Sequence, residues 1–380
     1  MESSQPSANP ILAGPHAVYA SGWPSALGRI PVRVIVYWLS IGLALLTVAV
    51  PPLRYSIYPI SVLVVLTLIA DGDFRIGDEA APFLVFIAAG LVAAPLATTE
   101  GLKDVFFTFA GVSVALLVTA PVVRLRWLFV WTMIAALVYF ALPGGLIRGA
   151  AFDFIRSSSP FESNFGFLFG LLAVFALIDR KPWLSLLCLA LAVVTLKRIA
   201  VLGVIVAAAF LVLGERKGRW ILNPLVMVIV NLAIVFGLLM YAAGYFDSQI
   251  LRLTGQSANQ IGLGRRAMLA IPAREVLHRP RDFMFFGAGP GQTYELATEG
   301  VRAYGVKQNL HSDIIKIFYE YGSLVFMTIV ALMYRAARYE MRVAFLYLNV
   351  LFVSDNTLIY AFFLCFFVIG ARAVCDTARD

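Results

Sequence analysis

Apolar runs of roughly 16 to 22 residues recur along nearly the whole chain, each long enough to cross a hydrocarbon core of ~30 Å as a helix. Inside lipid no water can bond the backbone amides and carbonyls, so only helices and closed barrels are stable there. Barrel strands alternate apolar with polar residues, whereas these runs are continuous. At 61% hydrophobic, 14% charged and a mean hydropathy of +0.86, the 380-residue chain is also too apolar for a soluble protein of its length. The expected fold class is all-α, polytopic and membrane-embedded.

Spans are expected near 33–50, 55–70, 80–97, 105–123, 127–142, 161–178, 182–196, 199–213, 220–245, 312–334, 342–354 and 357–374, about twelve in all. Basic residues in the short connections orient them. Arg29 and Arg33 precede the first span, Arg124 and Arg126 follow the fourth, and Arg180 and Lys181 follow the sixth. Arg216, Lys217 and Arg219 follow the eighth, and Arg335, Arg338 and Arg342 surround the turn after the tenth. All fall on one side if both tails, residues 1–32 and 375–380, are cytoplasmic, as the positive-inside rule requires. The acidic stretch "DGDFRIGDEA" is the one awkward loop, and acidic residues weigh little in that rule. The N-terminal tail lacks the regions of a cleavable signal, so the first span is expected to direct insertion. Cys188 and Cys365 fall in mid-run, which argues against a disulfide framework.

The external side then carries the loop 143–164, the tight "TLKRIA" turn and a long loop, 246–311, between spans 1–9 (33–245) and spans 10–12 (312–374). The long loop is net positive where basic residues are normally scarce, so it asks for an anionic partner. Within it, "IPAREVLHRP" reads as a short helix with Pro272 at its first position and Pro280 closing it. Arg274 and His278, four apart, share a face that touches either lipid headgroups or substrate. "FFGAGPGQ" lacks the strand-and-helix context of a nucleotide loop and reads as a turn.

Charged side chains from separate loops converge on this face: Glu162, Lys197, Arg198, Arg265, Arg266, His311, Asp313 and Lys316. Guanidinium groups clamp phosphate oxygens bidentately and stay charged at any physiological pH, so a pyrophosphate at a lipid headgroup suits them. Lys197 and Arg198 sit in a turn too short to hide them; they either snorkel or act on substrate. In "NLHSDIIKIFYEYGSLVF", Asn309 or Ser312 is placed to cap a helix whose positive end offers free amides to an anion. His311 at its mouth can serve as acid or base near neutral pH. Asp313 either orients that imidazole or caps the helix. Lys316 and Glu320, four apart, are expected to pair with each other. Three histidines in 380 residues form no metal-ligand cluster, and no Walker loop or GxSxG elbow is present, so no cofactor is expected.

The "GRR" segment, the "GAGPG" turn and "LHSDIIKIFYEYGS" leading into a span together resemble the O-antigen ligase and O-antigen polymerase superfamily of bacterial surface-glycan assembly. His311, Ser312, Ile314, Ile315, Glu320 and Gly322 carry the likeness, with Ser312 standing where asparagine is frequent. The resemblance implies a metal-independent, inverting glycosyltransferase of GT-C-like fold in the bacterial inner membrane. Its donor would be undecaprenyl pyrophosphate-linked glycan, used at the periplasmic face. In that scheme Arg198 and Arg265 or Arg266 stabilise the pyrophosphate leaving group, while His311 hydrogen-bonds the donor or deprotonates the acceptor hydroxyl. Arg274, His278, Lys197, Glu162, Asp313 and Lys316 would line the substrate. A chain-length regulator and a flippase are implied protein partners, and no nucleic acid is. "NLHSDIIKIFYEYG" and "LKRIAVLG" look more like polymerase members than ligases. A lipid-glycan flippase or transporter is the alternative class, but carriers place broken helices at mid-membrane, whereas here the polar residues gather at one face.

Overall fold

The computed structural model describes residues 32–71, 76–117, 123–142, 161, 163–262, 265–300 and 309–377. Glu162, the N-terminal tail to residue 31 and most of the 143–164 loop lie outside them. All regular structure among the described residues is helical. The first half comprises α1 (Val32–Ala49), α2 (Ile57–Asp71), α3 (Ala81–Val92), α4 (Thr99–Leu117), α5 (Leu125–Ala141), α6 (Phe165–Ile178), α7 (Pro182–Val194), α8 (Arg198–Leu213), α9 (Glu215–Ile221) and α10 (Pro224–Ala243). Five shorter helices follow: α11 (Asp247–Thr254), α12 (Ala258–Ile261), α13 (Arg265–His278), α14 (Asp282–Phe285) and α15 (Gln292–Gly300). Three long ones close the fold: α16 (Asp313–Arg335), α17 (Tyr339–Ser354) and α18 (Ala361–Thr377).

Among the described residues each apolar run anticipated from the sequence contains a helix, and α1, α10 and α16 are each long and apolar enough to cross a membrane. Local chemistry sets several boundaries. Pro224 begins α10 at a position where a missing amide costs nothing, and the Asn223 side chain accepts from the Leu225 amide at 2.9 Å. That cap splits the expected 220–245 run into α9 and α10. Gly244, left-handed at φ +94°, ends α10. By contrast, α4 starts earlier than its expected span and takes Lys103 and Asp104 into the helix.

The centre is α6, buried without a break from Phe165 to Ala176 and packed by α5, α7, α8, α17 and α18. Close approach depends on small residues, as is usual between membrane helices. The Tyr347 hydroxyl of α17 donates to the Phe167 carbonyl at 2.8 Å, and its ring fills the space left by Gly170 and Gly203.

Two ends of the bundle differ chemically. At one, Arg219 donates to the Ala337 carbonyl at 3.1 Å and Arg342 to the Leu222 carbonyl at 3.3 Å. There Asp78 accepts from the Ala337 amide at 3.1 Å and Arg372 pairs with Glu79. The acidic stretch thus fastens to the connection between α16 and α17 and to the end of α18. At the other end, the start of α16, the end of α17 and the start of α18 meet, and helices α16 to α18 each run from one end to the other.

Candidate active site

The second end centres on His311. Ser312, extended at φ −167°, caps α16 with its hydroxyl accepting from the Ile315 amide at 3.4 Å. The Asp313 amide donates to the Asp355 carbonyl at 3.1 Å, and the Lys316 amide to the Ser312 carbonyl at 3.0 Å. The expected offer of free first-turn amides to an anion is therefore largely taken up by the chain's own oxygens. The imidazole just ahead of this cap is half-buried, and its Nδ1 has no hydrogen-bond partner among the described residues. Burial pushes its pKa below the ordinary histidine value; nearby Arg265 and Lys197 push the same way, and Asp355 opposes them. At neutral pH the ring is uncharged, and a neutral imidazole keeps one nitrogen able to accept a proton.

Three elements supply the charges around it. Lys197 ends the α7–α8 turn, where Leu196 adopts a left-handed φ of +52° to reverse the chain within three residues. Its ammonium lies 5.5 Å from the centroid of the Phe167 ring, against α6. Arg198 opens α8 beside it with an exposed side chain. Arg265, the first residue of α13, donates to the Ser354 carbonyl at 3.1 Å, which brings it to the end of α17. The adjacent Arg266 pairs with Asp247 at 2.5 Å, while Arg265 is the one whose charge acts on His311.

Other expected residues are positioned elsewhere. Pro272 lies inside α13 rather than opening it, because the Arg265–Ile271 stretch is itself helical. Arg274 is nine residues further along α13 than Arg265, about 14 Å at the helical rise, and His278 lies one turn beyond. There the His278 Nδ1 donates to the Arg274 carbonyl at 2.7 Å. Asp313 neither orients the imidazole nor caps its own helix. Its carboxylate, fully buried, accepts from the Leu358 amide at 2.9 Å and the Thr357 hydroxyl at 3.3 Å, fastening α16 to the turn before α18. Lys316 pairs with Asp104 of α4 instead of Glu320. Glu320 accepts from the Thr293 amide at 3.2 Å and from the Thr293 hydroxyl.

Sequence reading missed Asp355. It closes α17 at 6% exposure, its carboxylate accepts from the Asn356 amide at 2.9 Å, and it is the anion facing His311. The signal was available: "SDN" fills a turn between two apolar runs on the same face as His311. Among the described residues no group of three His, Cys, Asp or Glu side chains is placed to hold a metal ion.

Residues 183–330 match the family model for O-antigen ligase. Over that stretch the chain is similar to the O-antigen ligase family. The match runs from α7 through most of α16 and so includes Lys197, Arg198, Arg265 and His311, while Asp355 lies beyond it. No curated protein and no solved structure matches the chain.

Proposed function

We propose that the His311 end of the bundle joins glycans at the outer face of the bacterial inner membrane, moving a chain from undecaprenyl pyrophosphate to a second lipid-linked repeat. The observation that carries this reading is a neutral, partly buried imidazole set between two cations and a carboxylate from four different elements. His311 takes the proton of the attacking sugar hydroxyl, whose oxygen bonds to the anomeric carbon as the bond to the pyrophosphate breaks. The pyrophosphate leaves with the electron pair, and the charge it gains is met by Lys197, Arg198 and Arg265. Attack opposite the leaving group inverts the anomeric centre. Asp355 stabilises the imidazolium formed on the way.

Transfer to lipid A core is a second reading, favoured by the ligase description of the matched family. Gel analysis of glycans in a deletion strain, complemented with wild type or His311→Ala, separates them. Single-repeat material extended to a ladder only by wild type supports a polymerase. Full-length chains stranded on the carrier support a ligase, and an unchanged ladder refutes both.

A further inference from the structure

Two hollows lie one after the other along α1 and α5, the second reaching the turn before α18. The first is a groove of about 400 Å³ between α1 and α5, walled by Trp38, Gly42, Leu45, Ala49, Trp131 and Val138. Trp38 and Trp131 meet edge to face at its far end, with centroids 5.2 Å apart. The second is a cavity of about 350 Å³ where α1, α5, α6 and the turn before α18 converge, lined in part by Thr47, Tyr139, Ser163, Asn164 and Tyr360. Thr47 and Tyr139 are one or two residues from Ala49 and Val138, so the hollows follow one another along the same helix pair.

Their chemistry changes along that path. The groove is apolar; the cavity carries hydroxyl and amide groups. Ser163 is 8% exposed, and its hydroxyl has no partner among the described residues, which leaves a buried polar atom requiring one. Tyr360 leads towards the cations: its ring stacks on Phe167 at 6.0 Å, and the Lys197 ammonium lies 5.5 Å from the centroid of the same ring. A ligand that is a long apolar chain at one end and an anion at the other fits this gradient. From Trp38 to Ala49 the groove runs about 17 Å at the helical rise, deep enough for several units of such a chain.

We infer that the α1–α5 groove holds the polyprenyl chain of the donor, with its first units passing the Ser163 cavity so that the pyrophosphate arrives at Lys197. The inference rests on the function proposed above. Gly42 makes it testable, because a Cβ built there meets nothing within 4 Å. Gly42→Leu therefore fits the helix, for which leucine has the better propensity, and fills the groove. The probe is a polyprenyl pyrophosphate with a photoreactive group within its first several isoprene units, added to the purified full chain in lipid nanodiscs. Adducts are expected in 38–49 and 131–138, and Gly42→Leu should reduce them about fivefold or more. Adducts on other helices, equal labelling of Gly42→Leu, or displacement as effective by phospholipid as by unlabelled polyprenyl pyrophosphate would overturn the inference. Glycan transfer by the wild type is measured separately. Groove labelling without transfer refutes the proposed function alone, and transfer with labelling elsewhere refutes the groove alone.

Discussion

At the scale of single residues, the site is a set of opposed influences on one imidazole. Burial, Arg265 and Lys197 keep His311 unprotonated, while Asp355 draws a proton towards it. In the proposed mechanism the base form is the active one, so activity should fall only as pH drops through the lowered pKa. The acid limb of the pH–kcat/KM profile should lie below the ordinary histidine range. Asp355→Asn removes the group that raises the pKa and should move that limb to lower pH; Arg265→Gln should move it to higher pH. Movement in the opposite directions, or none, would show that another group titrates. His311→Ala should lower turnover about 10²- to 10⁴-fold with the fold retained, read from purified protein of unchanged melting temperature. That His311, Lys197 and Arg265 come together was legible in the sequence, because all three were expected at one boundary of a lipid-embedded chain. The choice between Arg265 and Arg266 was not, since it depends on Asp247 and Ser354, which are brought to α13 only by the tertiary fold.

At the scale of elements, α16 holds the least foreseeable feature. Its sequence reads as one helix, yet Gly322 sits at φ +82°, ψ +169° and breaks it between the buried polar half and the apolar span. The break leaves carbonyls that "GAGPG" satisfies: the Ala288 amide donates to the Tyr319 carbonyl at 2.9 Å and the Gly289 amide to that of Glu320 at 3.0 Å. The segment that read as a plain turn is thus the clasp of a broken helix. A Cβ on Gly322 would come within 3.0 Å of the Phe285 and Phe286 backbone. Gly322→Ala should therefore lose about 1–2 kcal/mol from the left-handed backbone alone, plus the clash. A detergent melting curve unchanged by Gly322→Ala would place the break elsewhere. The Lys316–Asp104 pair on the same half is buried, so Lys316→Met should cost about 3–5 kcal/mol by stranding Asp104. Asp104→Leu combined with Lys316→Met should recover most of it. Full activity in that double variant would mark Lys316 as structural, whereas a stable but inactive one would return it to the substrate. Helical spacing gave Glu320 as the partner; Asp104, 212 residues away, could be supplied only by packing.

At the scale of the whole molecule, the basic loops and the candidate site occupy opposite ends of one bundle. Arg219, Arg342 and Arg372 gather at one end with Asp78 and Glu79; Lys197, Arg265, His311 and Asp355 gather at the other. Helices α16, α17 and α18 connect them, so whichever end is cytoplasmic, the other is external. By the positive-inside rule, the density of Arg and Lys in short connections at the first end predicts that it faces the cytoplasm. The second end carries cations too, but in the long region that follows α10, which the rule does not count. Single cysteines can test this in a background lacking Cys188, Cys365 and Cys375. Gln256 is exposed in the α11–α12 turn near the site end, and Lys217 is exposed in α9 at the opposite end. In cells with a permeabilised outer membrane, an impermeant maleimide should label Gln256→Cys directly and Lys217→Cys only once the inner membrane is breached. The reverse pattern would put His311 in the cytoplasm, where a lipid-linked glycan already moved outward could not reach it. Labelling of both in intact membranes would mean that the helices between them do not form a sealed span.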